Sequence, residues 1–201
     1  MSEVKRFELL NHLIDTYKFE DYLEIGIFSG ECIRNVKAKN KDGVDPGYER
    51  ILVPEVNFPI DSDRFFEFLD EDKKYDLIFI DGLHHADQVK RDINNSLNHL
   101  SDNGIIMMHD CNPQTKESQI VPRQISTWHG DVWKAYVEFK YTHPQFSTYV
   151  VDTDCGYGVI LNNKDKSSIP LDLELNYENL VLNRNEWLNL ISVNEFKNIF
   201  K

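Results

Sequence analysis

Tyr22-Leu23-Glu24-Ile25-Gly26-Ile27-Phe28-Ser29-Gly30-Glu31 is the stretch that decides the fold of this 201-residue chain. Residues 22–25 read as a short strand, and Gly30-Glu31-Cys32-Ile33-Arg34-Asn35-Val36 reads as the opening of a helix. Between them, Gly26 and Gly30 let backbone approach a ligand where a Cβ would block it. The first N–H groups of the following helix have no partner within the helix and point toward that ligand. The spacing is E-x-G-x-x-x-G, not the G-x-G-x-x-G of dinucleotide enzymes. It favours a nucleoside-type ligand without a pyrophosphate and disfavours an NAD-dependent enzyme.

Four further segments follow the same plan. Gly43-Val44-Asp45-Pro46 places a carboxylate at the end of a second strand, where α/β nucleotide folds hold ribose hydroxyls; a plain Asp-Pro turn is the alternative. Asn57-Phe58-Pro59-Ile60-Asp61-Ser62-Asp63 leads into a helix pattern at Phe65, Phe66, Phe68 and Leu69, and Ser62 or Asp63 is placed to cap it. Tyr75-Asp76-Leu77-Ile78-Phe79-Ile80-Asp81-Gly82 is a near-continuous apolar strand, hence buried on both faces, with an acid at its carboxyl end. Gly104-Ile105-Ile106-Met107-Met108-His109-Asp110 is another, ending in His-Asp. In an open parallel sheet the carboxyl ends of the strands are the edge where ligands bind. Five segments in order with polar residues at that end make a ligand site there.

Taken as a set, E-x-G-x-x-x-G (24–30), V-D (44–45), S-D-x-F-F (62–66), D-L-I-F-I-D-G-x-H (76–84) and G-I-I-x-x-H-D (104–110) resemble a class I S-adenosylmethionine-dependent methyltransferase. The relatives suggested are small bacterial O-methyltransferases of sugar, polysaccharide and natural-product pathways. The resemblance covers about residues 20–163. It implies a Rossmann-like α/β fold: a seven-stranded, mostly parallel sheet with one antiparallel strand and helices on both faces. It also implies S-adenosylmethionine as cofactor. Gly26 and Gly30 would lie against its amino-acid end, Asp45 on the ribose, and Ser62 and Asp63 near the adenine. Glu24, Phe28, Asp81 and Gly82 complete the cofactor-binding set.

Methyl transfer is an in-line displacement at a sulfonium carbon, so the protein must bind, orient and deprotonate the nucleophile. A hydroxyl nucleophile needs a base or a metal. His84 lies three residues past Asp81, an offset at which the metal-assisted relatives carry a base. Histidine suits the task because its pKa lies near neutrality. His85 and His109 are the competing bases, and Asp81 and His109 join His84 in the catalytic set. Asp81 and Asp110 match two carboxylate metal ligands of those relatives. The third ligand aligns with Cys111, whose thiol is a poor partner for a hard cation such as Mg2+; His109 or Asn112 could replace it. Metal-assisted (Mg or Mn) and metal-free chemistry both stay open. His84, Asp110, Asn112 and Trp128 form the acceptor side, where an indole beside polar groups suits a sugar ring. Two other readings remain: a non-catalytic nucleoside-binding α/β module, and an N-methyltransferase of a small molecule.

The composition fits one soluble domain spanning 1–201, with 41% hydrophobic and 28% charged residues. Its parts are an N-terminal helix (1–19), a core sheet (20–163) and a helical tail (164–201) suited to packing or to contact with a second copy. A net charge of -12 argues against nucleic acid as a partner. No apolar run reaches membrane-span length, and residues 1–14 pattern as an amphipathic helix rather than a signal peptide. Three cysteines without framework spacing point to a reducing, cytoplasmic setting. Cys111 to Gly130 is a long polar loop, of the kind that carries function. Phe146 to Val151 and Tyr157 to Leu161 read as a hairpin about the turn 152–156, placed on the same edge as Asp81 and Asp110.

Overall fold

The near-continuous apolar runs become the central strands. A computed structural model of the chain describes residues 4–48, 51–162 and 173–201. Helix α1 (Arg6–Tyr17) precedes strand β1 (Asp21–Ile25), helix α2 (Glu31–Asn35) and strand β2 (Asn40–Val44). Helix α3 (Ser62–Phe68), strand β3 (Tyr75–Ile80), helix α4 (Ala86–Asn98) and strand β4 (Leu100–Met108) follow. The C-terminal part holds α5 (Val132–Thr142), β5 (Phe146–Val151), β6 (Tyr157–Asn162), α6 (Tyr177–Leu188), β7 (Leu190–Ile191) and α7 (Val193–Ile199).

These strands form one seven-stranded sheet in the order β2-β1-β3-β4-β6-β5-β7. Only β6 runs antiparallel, pairing with β4 on one side and β5 on the other. Strand side chains alternate between the two faces. Ile78, Ile80, Ile106 and Met108 pack with residues of α3, α4, α5 and α6, whereas Leu77, Phe79, Ile105 and Met107 pack with α1, α2 and α7. The apolar runs of β3 and β4 are thus explained, because both faces are covered.

Three expectations are corrected. The third segment contributes no strand, only a single parallel bridge between Val44 and Phe58. The seventh strand comes instead from the tail, read as helical throughout. There Leu190 and Ile191 pair with Val150 and Val151 between two helices. A two-residue strand is too short to show a period of two. In addition, the cap of α3 is neither Ser62 nor Asp63. Asp61 accepts the Arg64 N–H at 2.9 Å, one residue earlier than read. Part of the tail boundary, residues 163–172, lies outside the described residues. No described helix is long and apolar enough to cross a membrane.

The chain order makes the site. After β1 the chain crosses to β2, and it then returns to place β3 on the other side of β1. Crossovers diverge at that point and leave a crevice at the carboxyl ends of β1 and β3. The ladder runs one residue beyond the strands: Gly26 N–H donates to Val44 O at 2.8 Å, Asp81 N–H to Ile25 O at 2.8 Å, and His109 N–H to Ile80 O at 3.0 Å. Those hydrogen bonds align Gly26, Asp81 and His109 along one edge.

The tail is part of this architecture. Trp187 is 3% exposed and stacks on Trp133 with ring centroids 6.1 Å apart, while the Tyr136 hydroxyl donates to Leu188 O at 3.1 Å. Trp187→Ala should therefore lower the stability of the full chain by about 3–5 kcal/mol, the usual cost of emptying a buried indole site. Urea unfolding followed by circular dichroism reads this directly. An unchanged midpoint would mean that α6 is not docked on α5.

Candidate active site

The glycine loop is held open by backbone geometry. Gly26 has φ +89°, and a Cβ there would lie 2.1 Å from the Asp81 carbonyl oxygen. No side chain can occupy that position, so β1 and β3 end in direct backbone contact. Phe28 also has a positive φ, and its ring is 58% exposed. Asp45 fixes the loop from the neighbouring strand. Its Oδ2 accepts the Ile27 and Phe28 N–H groups at 3.0 and 3.1 Å, and its Oδ1 accepts Gly47 N–H at 2.8 Å.

Beside this loop is a cavity of about 290 Å³ walled by Glu24, Gly26, Ile27, Phe28, Ser29, Glu31, Cys32, Asp81 and Asp154, with residues 4–7 from the start of α1. Glu24 lies beneath it, 1% exposed, and accepts a hydrogen bond from the Tyr22 hydroxyl. Burial pushes its carboxyl up to about 7. Of the expected cofactor residues, Glu24, Gly26, Phe28 and Asp81 line this cavity, and Asp45 supports its loop. Gly30 starts α2 in the left-handed conformation. Gly82 packs over Ile25, where a Cβ would lie 3.3 Å from Ile25 Cγ2. Ser62 and Asp63 are engaged with α4: the Ser62 hydroxyl donates to Asp92 at 2.6 Å, and Arg91 Nε lies 3.1 Å from Asp63 Oδ2.

Next to the cavity four titratable groups meet. His84 Nε2 lies 3.5 Å from Asp81 Oδ1, and its Nδ1 lies 3.2 Å from Asp110 Oδ2. His109 Nδ1 sits between the same carboxylates, 3.4 Å from Asp81 Oδ1 and 3.5 Å from Asp110 Oδ2. Its Nε2 lies 2.8 Å from the Asp154 carbonyl oxygen. Asp81 Oδ2 takes the guanidinium of Arg6, whose other nitrogen is 3.9 Å from Asp154 Oδ2. The hairpin turn 152–156 therefore does reach the edge that carries Asp81 and Asp110. Asp110 itself adopts φ +61°, a conformation costly outside glycine. Hydrogen bonds from Cys111 N–H to Gly156 O (3.0 Å) and from Asn112 N–H to Cys155 O (2.7 Å) hold the chain just after it.

Charge follows from these contacts. Burial opposes ionisation of Asp81, but His109, His84 and Arg6 outweigh it and hold the carboxyl well below its usual range. Burial likewise opposes the His84 and His109 imidazoliums, and the charges of Asp81 and Asp110 overcome it, raising both above 6.5. The two histidines differ in access. The His109 side chain is 8% exposed with both nitrogens engaged, whereas that of His84 is 22% exposed and its Nδ1 makes no hydrogen bond. Trp128 stacks on the His84 ring at 5.4 Å, and its Nε1 donates to Ile120 O at 2.7 Å. Gly130, at φ +64°, presses against the His84 carbonyl, where a Cβ would lie 1.8 Å away.

The remaining expected residues are placed as follows. Asn112 is 2% exposed; its amide donates to Asp152 at 2.9 Å and its carbonyl accepts from Arg184. Cys111 is fully buried against the backbone of Met108 and His109, and burial pushes its thiol up. His85 meets Trp128 edge-on at 5.9 Å. Asp81, His84 and Asp110 offer ligand atoms within 4.8 Å of one another, and so do Asp110, His129 and Cys155. In the first group, Arg6 and His109 already stand against the carboxylates, so a hard cation would compete with two cations of the chain itself. Arg6 and Asp154 were not singled out from the sequence. Their partners lie far away in the chain, and no local pattern marks such a pair.

Asp81→Asn would leave Arg6 and His109 facing a neutral amide. Stability should fall by about 3 kcal/mol, as when one partner of a buried ion pair is removed. A histidine whose folded pKa is raised stabilises fully below its unfolded value, and that stability is lost as pH rises through the folded value. Urea titrations from neutral to alkaline pH should thus show wild-type stability declining and the Asp81→Asn curve flatter. Parallel curves would contradict the pairing.

The comparisons with known proteins agree with this geometry. Residues 23–111 match the family model described as a methyltransferase domain. None of the curated proteins matches the chain in sequence. Among solved structures, an O-methyltransferase from Bacillus cereus in complex with S-adenosylhomocysteine superposes with TM-score 0.56 at 14% identity, covering 80% of this chain and 83% of that one. A Streptomyces achromogenes O-methyltransferase involved in tomaymycin synthesis, in complex with S-adenosylmethionine, gives TM-score 0.58 at 14% identity, covering 79% of each chain. Residues 23–111 thus match a methyltransferase domain, and the chain shares its fold with these bacterial O-methyltransferases, solved with S-adenosylhomocysteine or S-adenosylmethionine.

Proposed function

We propose that this methyltransferase transfers the methyl group of S-adenosylmethionine to a hydroxyl of a small or glycan-linked acceptor, with His84 as the general base. The observation that carries the reading is the position of His84. It stands between Asp81 and Asp110, under the Trp128 indole, and Asp81, which it faces at 3.5 Å, is itself a wall of the cavity beside the glycine loop.

The cavity suits the cofactor. Its acids (Glu24, Glu31, Asp81, Asp154) match an ammonium, and its guanidinium matches a carboxylate. When bound there, S-adenosylmethionine would supply an electrophilic methyl group on a sulfonium. The residues of the chain do the rest. Asp81 and Asp110 orient the His84 ring and stabilise the imidazolium that forms when it takes the acceptor proton. His109 acts as the fixed cation between the two acids, so neither carboxylate is left buried and unpaired. Arg6 and His109 standing against Asp81 support chemistry that does not depend on a divalent cation. Trp128 offers an apolar face beside polar groups, which supports a sugar ring or a flat natural-product scaffold as acceptor.

The raised His84 pKa sets the pH dependence. Only the neutral imidazole accepts a proton, so turnover should fall as pH drops through a value above 6.5.

The test has two stages. Calorimetry should show S-adenosylhomocysteine binding, unchanged by chelator; no binding at millimolar ligand would leave the alternative, a catalytically dead α/β binding module. Release of S-adenosylhomocysteine can then be followed against a panel of hydroxyl-bearing sugars and phenols. His84→Ala should lower turnover about 10²–10⁴-fold with cofactor affinity kept. A near-full rate in that variant would pass the role to His109, and activity that vanishes in chelator and returns with Mg2+ or Mn2+ would restore the metal at Asp81 and Asp110.

A further inference from the structure

Two cations line the cavity, and they are not equivalent. Lys5 is 62% exposed at its side chain and faces Glu31 from the surface at 3.5 Å. Arg6 is drawn inward, 34% exposed, with its guanidinium on Asp81 Oδ2 and near Asp154. Arg34, just beyond the glycine loop, is committed elsewhere: Nη1 lies 2.9 Å from Glu55, and Nη2 donates to Ser29 O at 2.7 Å. Among the described residues, Arg6 is therefore the inward-facing cation of a cavity whose walls carry four acids, Glu24, Glu31, Asp81 and Asp154.

The amino-acid end of the proposed cofactor is a zwitterion. Its ammonium finds several carboxylates on these walls, but its carboxylate finds one guanidinium. A carboxylate brought among four acids without a cation would be strongly disfavoured. Arginine also presents a planar fork that matches a carboxylate with two parallel hydrogen bonds.

We propose that Arg6 binds the carboxylate at the amino-acid end of S-adenosylmethionine and gives up its pair with Asp81 to do so. This rests on the reading of the cavity as the cofactor site. The exchange conserves charge: one carboxylate leaves the guanidinium as another arrives, and no group is left buried and unpaired. Asp81 keeps its other oxygen on His84 and His109, which face Oδ1, while Arg6 holds Oδ2. Arg6 is thus a latch on Asp81 in the empty site and a recognition residue in the filled one. Because Arg6 is the first residue of α1, it also fastens that helix over the cavity.

The experiment is a binding cycle by calorimetry with two ligands. S-adenosylhomocysteine carries the carboxylate; S-adenosyl-3-thiopropylamine keeps the thioether and the amine but lacks it. Wild-type protein should bind the first about 10–100-fold more tightly than the second, the worth of a charge-assisted hydrogen bond. In Arg6→Ala the difference should shrink to within about threefold, because only the ligand with a carboxylate loses affinity. Arg6→Lys should keep part of it. Equal binding of both ligands by wild type would overturn the inference without any variant, and so would a difference of the same size in Arg6→Ala. If Arg6→Ala does not fold, Arg6→Gln takes its place in the same cycle. Wild-type protein that binds neither ligand at millimolar concentration would overturn the cofactor reading and this inference together, whereas a difference that Arg6 does not control overturns this inference alone.

Discussion

The ionised carboxylate of Asp81 is the constraint on which the rest of the site depends. A buried charge is tolerated only with partners, and Asp81 draws its partners from three separate stretches. Arg6 comes from the start of α1, His84 from the turn after β3, and His109 from the end of β4. The backbone of Asp81 is equally committed, since its N–H bonds Ile25 O and its carbonyl leaves room only for a glycine at position 26. One residue therefore joins the N-terminal helix, the glycine loop and the crevice between β1 and β3. Asp154 extends the cluster to the hairpin turn through Arg6 and His109.

Two histidines in one acidic cluster differ in access. His109 lies deeper, and both its nitrogens are spent on the hairpin turn and the two acids, so it serves as a fixed positive charge. The His84 side chain is the more exposed of the two and stacks on Trp128, while its Nδ1 is buried toward Asp110. Groups in near-identical electrostatic surroundings thus differ in exposure, and that difference separates the base proposed here from a fixed charge.

Much of this was legible in the sequence because it is local. The apolar runs of β3 and β4 announced strands covered on both faces, and their last residues announced the polar edge. Glycine spacing, the acid after β2 and the His-Asp pair each sit within a few residues of the strand that positions them. What could not be read is what depends on distance in the chain. Arg6 meets Asp81 across 75 positions, and nothing beside Arg6 foretells that pair. Leu190 and Ile191 gain strand character only from the β5 edge they complete. The capping of α3 by Asp61 rather than its two polar successors turned on one residue, the scale on which helix boundaries are least determined by pattern. Ser62 and Asp63, polar and near the right strand end, turned out to serve the α3–α4 contact.

The central claim is that the chain's own cations hold the charge of Asp81. Carbon-13 NMR of the Asp81 carboxylate, titrated in metal-stripped protein, tests it most directly. The account predicts that the resonance stays that of an ionised carboxylate well below the ordinary value of 3.8 and does not move on addition of Mg2+. An Asp81 that titrates at or above 3.8 in the stripped protein, and is driven to the ionised form only by Mg2+, would contradict it.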